Sequence, residues 1–334
     1  TDLLISRNLP GSAGFSSTYY NQGSLNNKGV EFSLNAQIID SSSWKWSVSG
    51  NIGVNRNEIS DLGLLPADFG CLGERVGYYG NSLGDHFGVG HIFLAGEAPG
   101  LFYGYVTQGI VQKEDITENG IKYIKQDGSV GYYQTVNKTT PVAGDVKYVD
   151  RNGDGVVDDN DRDIIGNPNP DFTYGFQTKV SWKSLSLSAS FNGVQGRDIL
   201  NVGNRYNNTP GTKSNNVTRK AFQNMWTDEN PSNLYPKSTF VVQNMVMDRY
   251  VEDGSYLRCS DITLSYVLPA KWTNKIGIKN TSVYASVKNA FVITDYSGYD
   301  PEVNSFAFDG LRPGVDMNSY PTPRSFVFGL NLTF

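Results

Sequence analysis

Residues 325–334 read Ser325-Phe326-Val327-Phe328-Gly329-Leu330-Asn331-Leu332-Thr333-Phe334, and their side chains alternate without interruption between large apolar and small, mostly polar groups. A repeat of two residues is typical of a β-strand, because successive side chains of a pleated strand point to opposite faces. A strand of a soluble sandwich could show the same alternation. A strand with lipid on one face and water on the other requires it, so this segment favours the closing strand of a transmembrane barrel.

The composition narrows the class of protein. Of the 334 residues, 18% are charged, against about 25% in typical soluble domains. No stretch approaches the roughly 18 apolar residues of a membrane-spanning helix, which excludes a helical membrane protein. A β-barrel membrane protein stays open, because its signal is a set of alternating segments of about ten residues. The net charge of -5 argues against a nucleic-acid partner.

The cysteines and the first residues give two further expectations. The two cysteines, Cys71 and Cys259, form neither a disulfide framework nor a zinc-binding spacing, and whether they pair is left open. Residues 1–6 contain neither a basic segment nor an apolar one, so they are not a signal peptide, and we expect a processed or partial chain.

Alternating segments recur along the chain. They lie at 30–38, 44–55, 172–182, 185–192, 262–268, 283–291 and 325–334. Counting residues 2–6 as the end of a further strand gives eight strand segments. Trp44, Trp46 and Trp182 fall on the apolar parity close to turns, a position typical of the aromatic girdle of a barrel at the membrane surface.

The connections between these segments alternate in length. Short turns lie at 40–43, 183–184 and about 269–281, and long loops lie at about 7–29, 57–170, 193–254 and 294–323. An up-and-down barrel with short periplasmic turns and long outer loops predicts this alternation, whereas a Greek-key sandwich does not. We expect the long loops to be irregular, and their size favours a wide barrel over a closed barrel of eight strands.

Residues 150–161 match a calcium-binding loop in spacing. The oxygen donors would be Asp150, Asn152, Asp154, the backbone carbonyl of Val156, Asp158 and Asp161, at loop positions 1, 3, 5, 7, 9 and 12. Gly155 at position 6 allows the sharp turn.

The match departs from the EF-hand pattern at one position. Asp161 stands where glutamate usually chelates, as in the dockerin type of loop. A solvated acidic turn is the alternative, because Asp, Asn and Gly also form plain turns. The six-position match favours structural Ca²⁺, which we expect to order the loop between residues 57 and 170.

Several motifs resemble SusC-like TonB-dependent transporters of the Bacteroidetes outer membrane. They are Gly14-Phe15-Ser16-Ser17, Lys28-Gly29-Val30-Glu31, Phe102-Tyr103-Gly104-Tyr105, Gly144–Asp150 with Asn152–Gly155, Ile165–Phe172, Glu252–Arg258, Gly298–Glu302 and Phe328–Phe334. The likeness runs nearly from end to end of the chain.

The resemblance implies a 22-stranded barrel around an N-terminal plug, of which residues 1–334 would be the C-terminal barrel portion. The plug domain and the first half of the barrel are absent from this chain. The family imports oligosaccharides or peptides with TonB-transmitted energy, and its members pair with a SusD-like surface lipoprotein. The partners implied are this lipoprotein, TonB through the missing plug, the substrate and outer-membrane lipid, and the location implied is the bacterial outer membrane.

Two other classes of protein compete with this interpretation. Enzyme function is not expected, because the two histidines, His86 and His91, lie in no zinc motif and no nucleophile motif is present. A secreted carbohydrate-binding or adhesion β-protein is the second alternative. Loop aromatics that could touch a substrate or simply pack within the loops are Phe102, Tyr103, Tyr105, Tyr132, Tyr133, Tyr206, Tyr299 and Tyr320.

Overall fold

Seven long strands form one antiparallel sheet in the computed structural model of the chain. The model describes residues 4–8, 12, 14–15, 17–21, 23–62, 77–80, 83, 88–209, 216–238, 245–273, 278, 280–307, 309–310 and 312–333. The strands are β1 (Ser24–Asp40), β2 (Trp44–Asp61), β3 (Phe172–Trp182), β4 (Leu185–Gln195), β5 (Tyr256–Val267), β6 (Asn280–Thr294) and β7 (Ser325–Thr333). Each strand pairs with the next in sequence, and we call this sheet the wall.

The pairing register gives the wall one continuous apolar face. Direct cross-strand partners lie on the same face, so apolar residues of one parity form rows across the strands. One row consists of Phe328, Ala285, Leu264, Leu187, Val180 and Trp46. Phe328 is 80% exposed and Phe326 is 66% exposed. The face is therefore not covered by a second protein layer at these residues, which argues against a β-sandwich.

Tryptophans gather on this face at the end of the wall that carries the short turns. Trp44 and Trp182 are cross-strand partners with ring centroids 5.9 Å apart, and Trp46 lies in the next row. The Lys183 ammonium lies over the Trp182 ring, 5.3 Å from its centroid. The expected clustering of aromatics at this end of the strands is present.

A bulge at Ser260 reverses the parity of β5. Asp261 faces Ser190 on β4, but Cys259, two residues away, faces the next residue, Phe191. Because of the extra residue, the apolar side chains occupy even positions after Ser260 in the sequence and odd positions before it. Cys259 is fully buried at this point, and Cys71 lies outside the described residues.

The expected alternation of short turns and long connections is present, and seven of the eight expected strand segments form the wall. Leu4–Asn8 pairs with Ser17–Asn21 in a separate two-stranded sheet and does not extend the wall. Within the described residues, β1 and β7 each have a neighbour on one side only, so the sheet does not close into a barrel.

The long connections are not irregular, which corrects the expectation for residues 57–170. Their described parts within 62–171, 196–255 and 295–324 form what we call the loop layer. Its short strands are Gly77–Gly80, His91–Leu94, Leu101–Tyr105, Thr107–Ile110, Ile116–Thr117, Gly120–Ile124, Val130–Tyr133, Thr135–Val136, Val146–Tyr148, Val156–Val157, Arg162–Gly166, Asp198–Asn201, Val251–Asp253 and Val315–Asp316. Its helices are α1 (Val202–Asn208), α2 (Arg219–Asn224) and the 3-10 turns Lys113–Asp115, Asp159–Asp161 and Asp248–Tyr250; α3 (Ala270–Thr273) belongs to a short connection of the wall.

The loop layer has its own hydrophobic cores. One cluster contains Tyr105, Tyr123, Tyr133 and Tyr148 together with buried Val, Ile and Met side chains. The ring of Tyr105 meets that of Tyr148 edge-on, at a centroid distance of 5.9 Å. The apolar bodies of these tyrosines pack inside, where their hydroxyl groups find partners, as is usual for buried tyrosine.

The loop aromatics therefore divide into two groups. Phe102, Tyr103, Tyr105 and Tyr133 are buried core residues, while Tyr299 and Tyr320 are 72% and 87% exposed. Tyr132 is partly exposed, at 37%.

Among the described helices, none has the length and apolar character needed to cross a membrane.

Candidate functional site

Residues 150–161 form a tight loop whose first and last acidic residues are buried. Asp150 is 2% exposed and Asp161 is inaccessible to solvent. The Asp158 carboxylate accepts a hydrogen bond from the Asn160 backbone N–H and begins the 3-10 turn Asp159–Asp161. The sequence forms this loop because Gly153 and Gly155 supply the positive φ angles, 75° and 86°, that it needs.

The two buried carboxylates accept hydrogen bonds from the backbone of the same loop. Asp150 Oδ1 and Oδ2 accept from the N–H groups of Gly153 and Gly155, at 2.7 and 2.8 Å. Asp161 Oδ1 accepts from Arg151 N–H at 2.7 Å, and its Oδ2 accepts from Asp158 N–H at 2.8 Å. These bonds tie the two ends of the loop together.

Burial raises the pKa of Asp161 to about 6, and the negative charge of Asp150 adds to this effect. The hydrogen bonds from the backbone N–H groups of Asp158, Arg151 and Asn152 act in the opposite direction, and they are outweighed. The like charges of Asp150 and Asp161 therefore oppose each other in this loop, with a smaller effect on this pKa than burial has.

The other acidic side chains of the loop point elsewhere. Asp154 is exposed and accepts hydrogen bonds from Val156 N–H and Asn152 Nδ2, at 2.8 and 2.9 Å. In the described part of the chain, no three His, Cys, Asp or Glu side chains converge as a set of metal ligands. The donor types and the glycine turns fit Ca²⁺, whereas convergence of all six donors on one point requires Asp154 and Asp158 to turn inward. Calcium thus stays a prediction.

A cavity of about 610 Å³ lies elsewhere in the loop layer. Amide, hydroxyl and charged side chains dominate its lining. They are Thr107, Asn204, Asn208, Thr209, Thr218, Lys220, Asn233, Tyr235, Arg249, Tyr250, Glu252 and Ser297, with Gly109, Leu234 and Pro236. We call it the amide cavity.

Most polar groups of the amide cavity already have protein partners. Glu252 accepts from Asn204 Nδ2, from Asn201 Nδ2 at 3.0 Å and from the Ser297 backbone N–H at 2.8 Å. Asn204 Oδ1 accepts from Asn208 Nδ2 at 2.9 Å. This network fixes α1 against the strand Val251–Asp253, so the shape of the cavity is set before any ligand enters.

Arg249 is the exception in this lining. Its Nη2 donates to the Leu234 carbonyl at 2.5 Å, whereas its Nη1 is buried and has no hydrogen-bond partner. No local pattern in the sequence marks this cavity, because its residues come from six separate segments. The available signal was the pair Asn204 and Asn208, which lie four residues apart and share one face of a helix.

A buried ion pair joins the loop layer to the wall. Arg258 of β5 pairs with Asp300, and both side chains are at most 6% exposed. Arg258 Nε also lies 3.1 Å from Glu302, whose other oxygen accepts from Tyr256 Oη at 2.6 Å. Burial disfavours the charged form of Asp300, but hydrogen bonds from Glu302 and Thr322 and the charge of Arg258 hold its pKa below the usual value.

The one histidine within the described residues is buried and neutral. Burial lowers the pKa of His91 to about 4, and its Nε2 lies 3.1 Å from the Pro313 carbonyl. A carbonyl can only accept, so Nε2 carries the proton. His91 supports the packing of Phe102, with ring centroids 5.4 Å apart. His86 lies outside the described residues.

Comparisons with known proteins agree with this architecture. No family model matches the chain. It is 31% identical over 342 residues to the TonB-dependent receptor P26 of Formosa agariphila, and 32% identical over 343 residues to the TonB-dependent receptor SusC of Bacteroides thetaiotaomicron. Each alignment covers 100% of this chain and 31% or 29% of the relative, so the chain spans about a third of the length of these relatives.

A solved structure shares the fold. The RagAB peptide transporter superimposes with a TM-score of 0.70 and 27% sequence identity, over 100% of this chain and 32% of the transporter chain. The resemblance to SusC-like TonB-dependent transporters and the antiparallel fold expected from it are confirmed. The relatives are receptors and transporters and not enzymes, as expected.

Proposed function

Because this chain is similar along its whole length to one part of the TonB-dependent receptors, SusC included, we propose that it is the C-terminal barrel portion of an outer-membrane importer. The observation that carries the proposal is the uncovered apolar face of the wall, where Leu330 is 57% exposed. Lipid is the environment in which such a face is stable, provided that every backbone group is paired within a closed barrel. The strands that close it would lie in the remaining two thirds of the importer.

The proposed importer takes up oligosaccharides or peptides, energised by TonB through a plug that lies outside this chain. Its partner is a SusD-like surface lipoprotein that meets the loop layer at the outer end of the barrel. Two findings support this arrangement. The long connections fold into a compact layer at one end of the wall, and the polar faces of the strands carry Ser, Asn, Gln, Thr and Lys side chains.

Structural Ca²⁺ in the loop 150–161 is part of the proposal. The oxygen donors and glycines at the required positions support it, and so does the repulsion between the buried Asp150 and Asp161, which a divalent cation removes. The ion would hold the segment from Asp150 to Asp161 against its neighbouring strands, so that contacts in the loop layer are formed before a partner arrives.

Uptake in whole cells tests the proposed function. A strain that carries the complete gene should accumulate a labelled oligosaccharide or peptide pool, and deletion of the gene or of TonB should abolish the accumulation. Extraction from the membrane should require detergent. A protein that purifies from buffer without detergent, in a strain whose uptake is unchanged, contradicts import and favours the secreted binding protein.

A further inference from the structure

The amide cavity is lined by two cationic groups that form no ion pair with another described residue. The acidic groups around it accept hydrogen bonds from uncharged protein donors. Glu252 is surrounded by donors from Asn201, Asn204 and Ser297, and Asp248 accepts from Thr107 N–H and Oγ1, at 3.1 and 2.6 Å.

These two groups are Arg249 and Lys220. Arg249 has a buried Nη1 without a partner, which is costly because a desolvated charged donor loses its hydrogen bonds to water. Lys220 is exposed on α2 at the lining and takes part in no ion pair with another described residue. A guanidinium and an ammonium on one cavity, with hydroxyl and amide groups between them, form a site for an anion.

We propose that the amide cavity binds a carboxylate group of the imported substrate, with Arg249 as its principal partner and Lys220 as a second charge at the edge. This inference rests on the proposed function and names the chemistry of its substrate. A carboxylate offers two acceptor oxygens in the plane of the guanidinium, so it satisfies the fork geometry of arginine better than a neutral group does. Because Nη1 is shielded from water, binding requires the guanidinium to turn toward the cavity.

The rest of the lining supports a carboxylate on a polar ligand. Asn204, Asn208 and Thr218 present amide and hydroxyl groups beside the charges, and they are held in place by one another. Such groups bind peptide amides and sugar hydroxyls alike. The shared chemistry is therefore a carboxylate next to hydrogen-bonding groups, which occurs at the C-terminus of a peptide and on a uronic acid.

Calorimetry on the full-length transporter in detergent, with two matched pairs of probes, tests the proposal. The first pair is tetra-alanine as the free acid and as the C-terminal amide, and the second is digalacturonate and its methyl ester. We expect at least one acid to bind about tenfold more tightly than its neutral partner, as for a hydrogen bond to a charged group. The pair that shows the difference identifies the source of the carboxylate. Equal binding of acid and neutral forms in both pairs overturns the proposal without any variant.

Variants assign the preference to the cavity. Arg249→Gln should reduce the difference to less than about twofold, Arg249→Lys should retain part of it, and Lys220→Gln should weaken acid binding a few fold. Arg219→Gln is the matched control, because it removes the same charge from the neighbouring residue of α2, outside the lining, and it should leave the preference unchanged. An unchanged preference in Arg249→Gln overturns the assignment. If Arg249→Gln does not fold, Arg249→Lys and Lys220→Gln together decide, since unchanged acid binding in both overturns it.

The two proposals fail separately. TonB-dependent uptake by a transporter that does not distinguish acids from neutral probes overturns the carboxylate site and leaves import standing. A preference for acids that depends on Arg249, in a protein whose deletion does not affect uptake, supports the site and contradicts import.

Discussion

His91 makes the stability of the loop layer depend on pH. Its pKa is about 4 in the folded protein, because burial disfavours the charged ring, against 6.5 for an unperturbed histidine. The unfolded chain therefore binds more protons between these values, and stability falls as pH drops from about 6.5 towards 4. We expect a loss of about 2 kcal/mol between pH 7 and pH 5. Thermal unfolding at the two pH values measures it. His91→Gln, which keeps a donor for the Pro313 carbonyl, should flatten the dependence, and an equal slope in both proteins contradicts the assignment.

Asp154 tests the calcium proposal with little disturbance of the fold. Asp154→Asn keeps an oxygen that can accept from Val156 N–H but removes one negative charge of the loop. We expect calcium affinity to fall about tenfold, because the number of charged ligands tunes affinity in such loops. Unfolding temperatures with Ca²⁺ and with EGTA measure the response. Asp127→Asn, which removes a carboxylate from a neighbouring turn outside the loop, is the control. A wild-type protein whose unfolding temperature ignores both Ca²⁺ and EGTA rules out a structural ion.

Among the elements, the segment 295–324 depends on the buried pair of Arg258 and Asp300. Asp300→Ala leaves the guanidinium buried without its main partner, and we expect a loss of about 3 kcal/mol. Limited proteolysis should then cut within 295–324 well before it cuts the wall. The matched control is Asp309→Ala, because Asp309 and Arg312 form an ion pair in which both side chains are about a third exposed, so that solvent weakens it and about 1 kcal/mol or less is lost. Equal protease resistance of the two variants would show that other contacts hold this segment.

The turn between β3 and β4 stores backbone strain at Lys183. This residue has a φ of 51°, in the left-handed region that costs a residue with a Cβ about 1 kcal/mol or more. Lys183→Gly should raise the unfolding temperature because it removes this strain. Loss of the contact between Lys183 and Trp182 makes the gain smaller. Lys122→Gly, on an exposed position of the strand Gly120–Ile124, should lower the unfolding temperature, because glycine weakens a strand. A gain in both variants would contradict the explanation by φ.

The strands of the wall can be predicted from local sequence patterns, whereas those of the loop layer cannot. The wall strands are recognisable by alternation because one face is mostly apolar, and this pattern is contained within each strand. The loop-layer strands are two to five residues long, and some pair in parallel across long distances, as Asp198–Asn201 does with Val315–Asp316. No local period encodes such pairs.

The two candidate sites differ for the same reason. The acidic loop is contiguous, so its spacing located it, although the burial of Asp150 and Asp161 in contrast to Asp154 came only from the fold. The amide cavity brings together Thr107, Asn204, Lys220, Arg249 and Ser297 from separate segments. No pattern in the sequence places those side chains side by side.

For the whole molecule, the side of the wall on which a charge is placed should decide whether the protein reaches the membrane. Leu330→Arg puts a guanidinium on the apolar face, and in lipid it should cost about 2–4 kcal/mol near the middle of the bilayer. Asn331→Arg puts the same charge on the polar face, one residue along β7. The amount of folded protein in isolated outer membranes compares the two variants. Equal loss in both would contradict a lipid-facing surface at Leu330.

The bulge at Ser260 has a consequence for how genes of this kind can vary in length. Inserting or deleting one codon inside a wall strand moves the apolar side chains beyond it to the polar face and the polar ones to the apolar face. Selection should therefore remove such changes unless they occur in pairs or lie at a loop. β5 already contains one unpaired addition, at Ser260. Deletion of one residue should therefore be tolerated at Ser260 more readily than at any other position in the strand, because it removes the extra residue of the bulge.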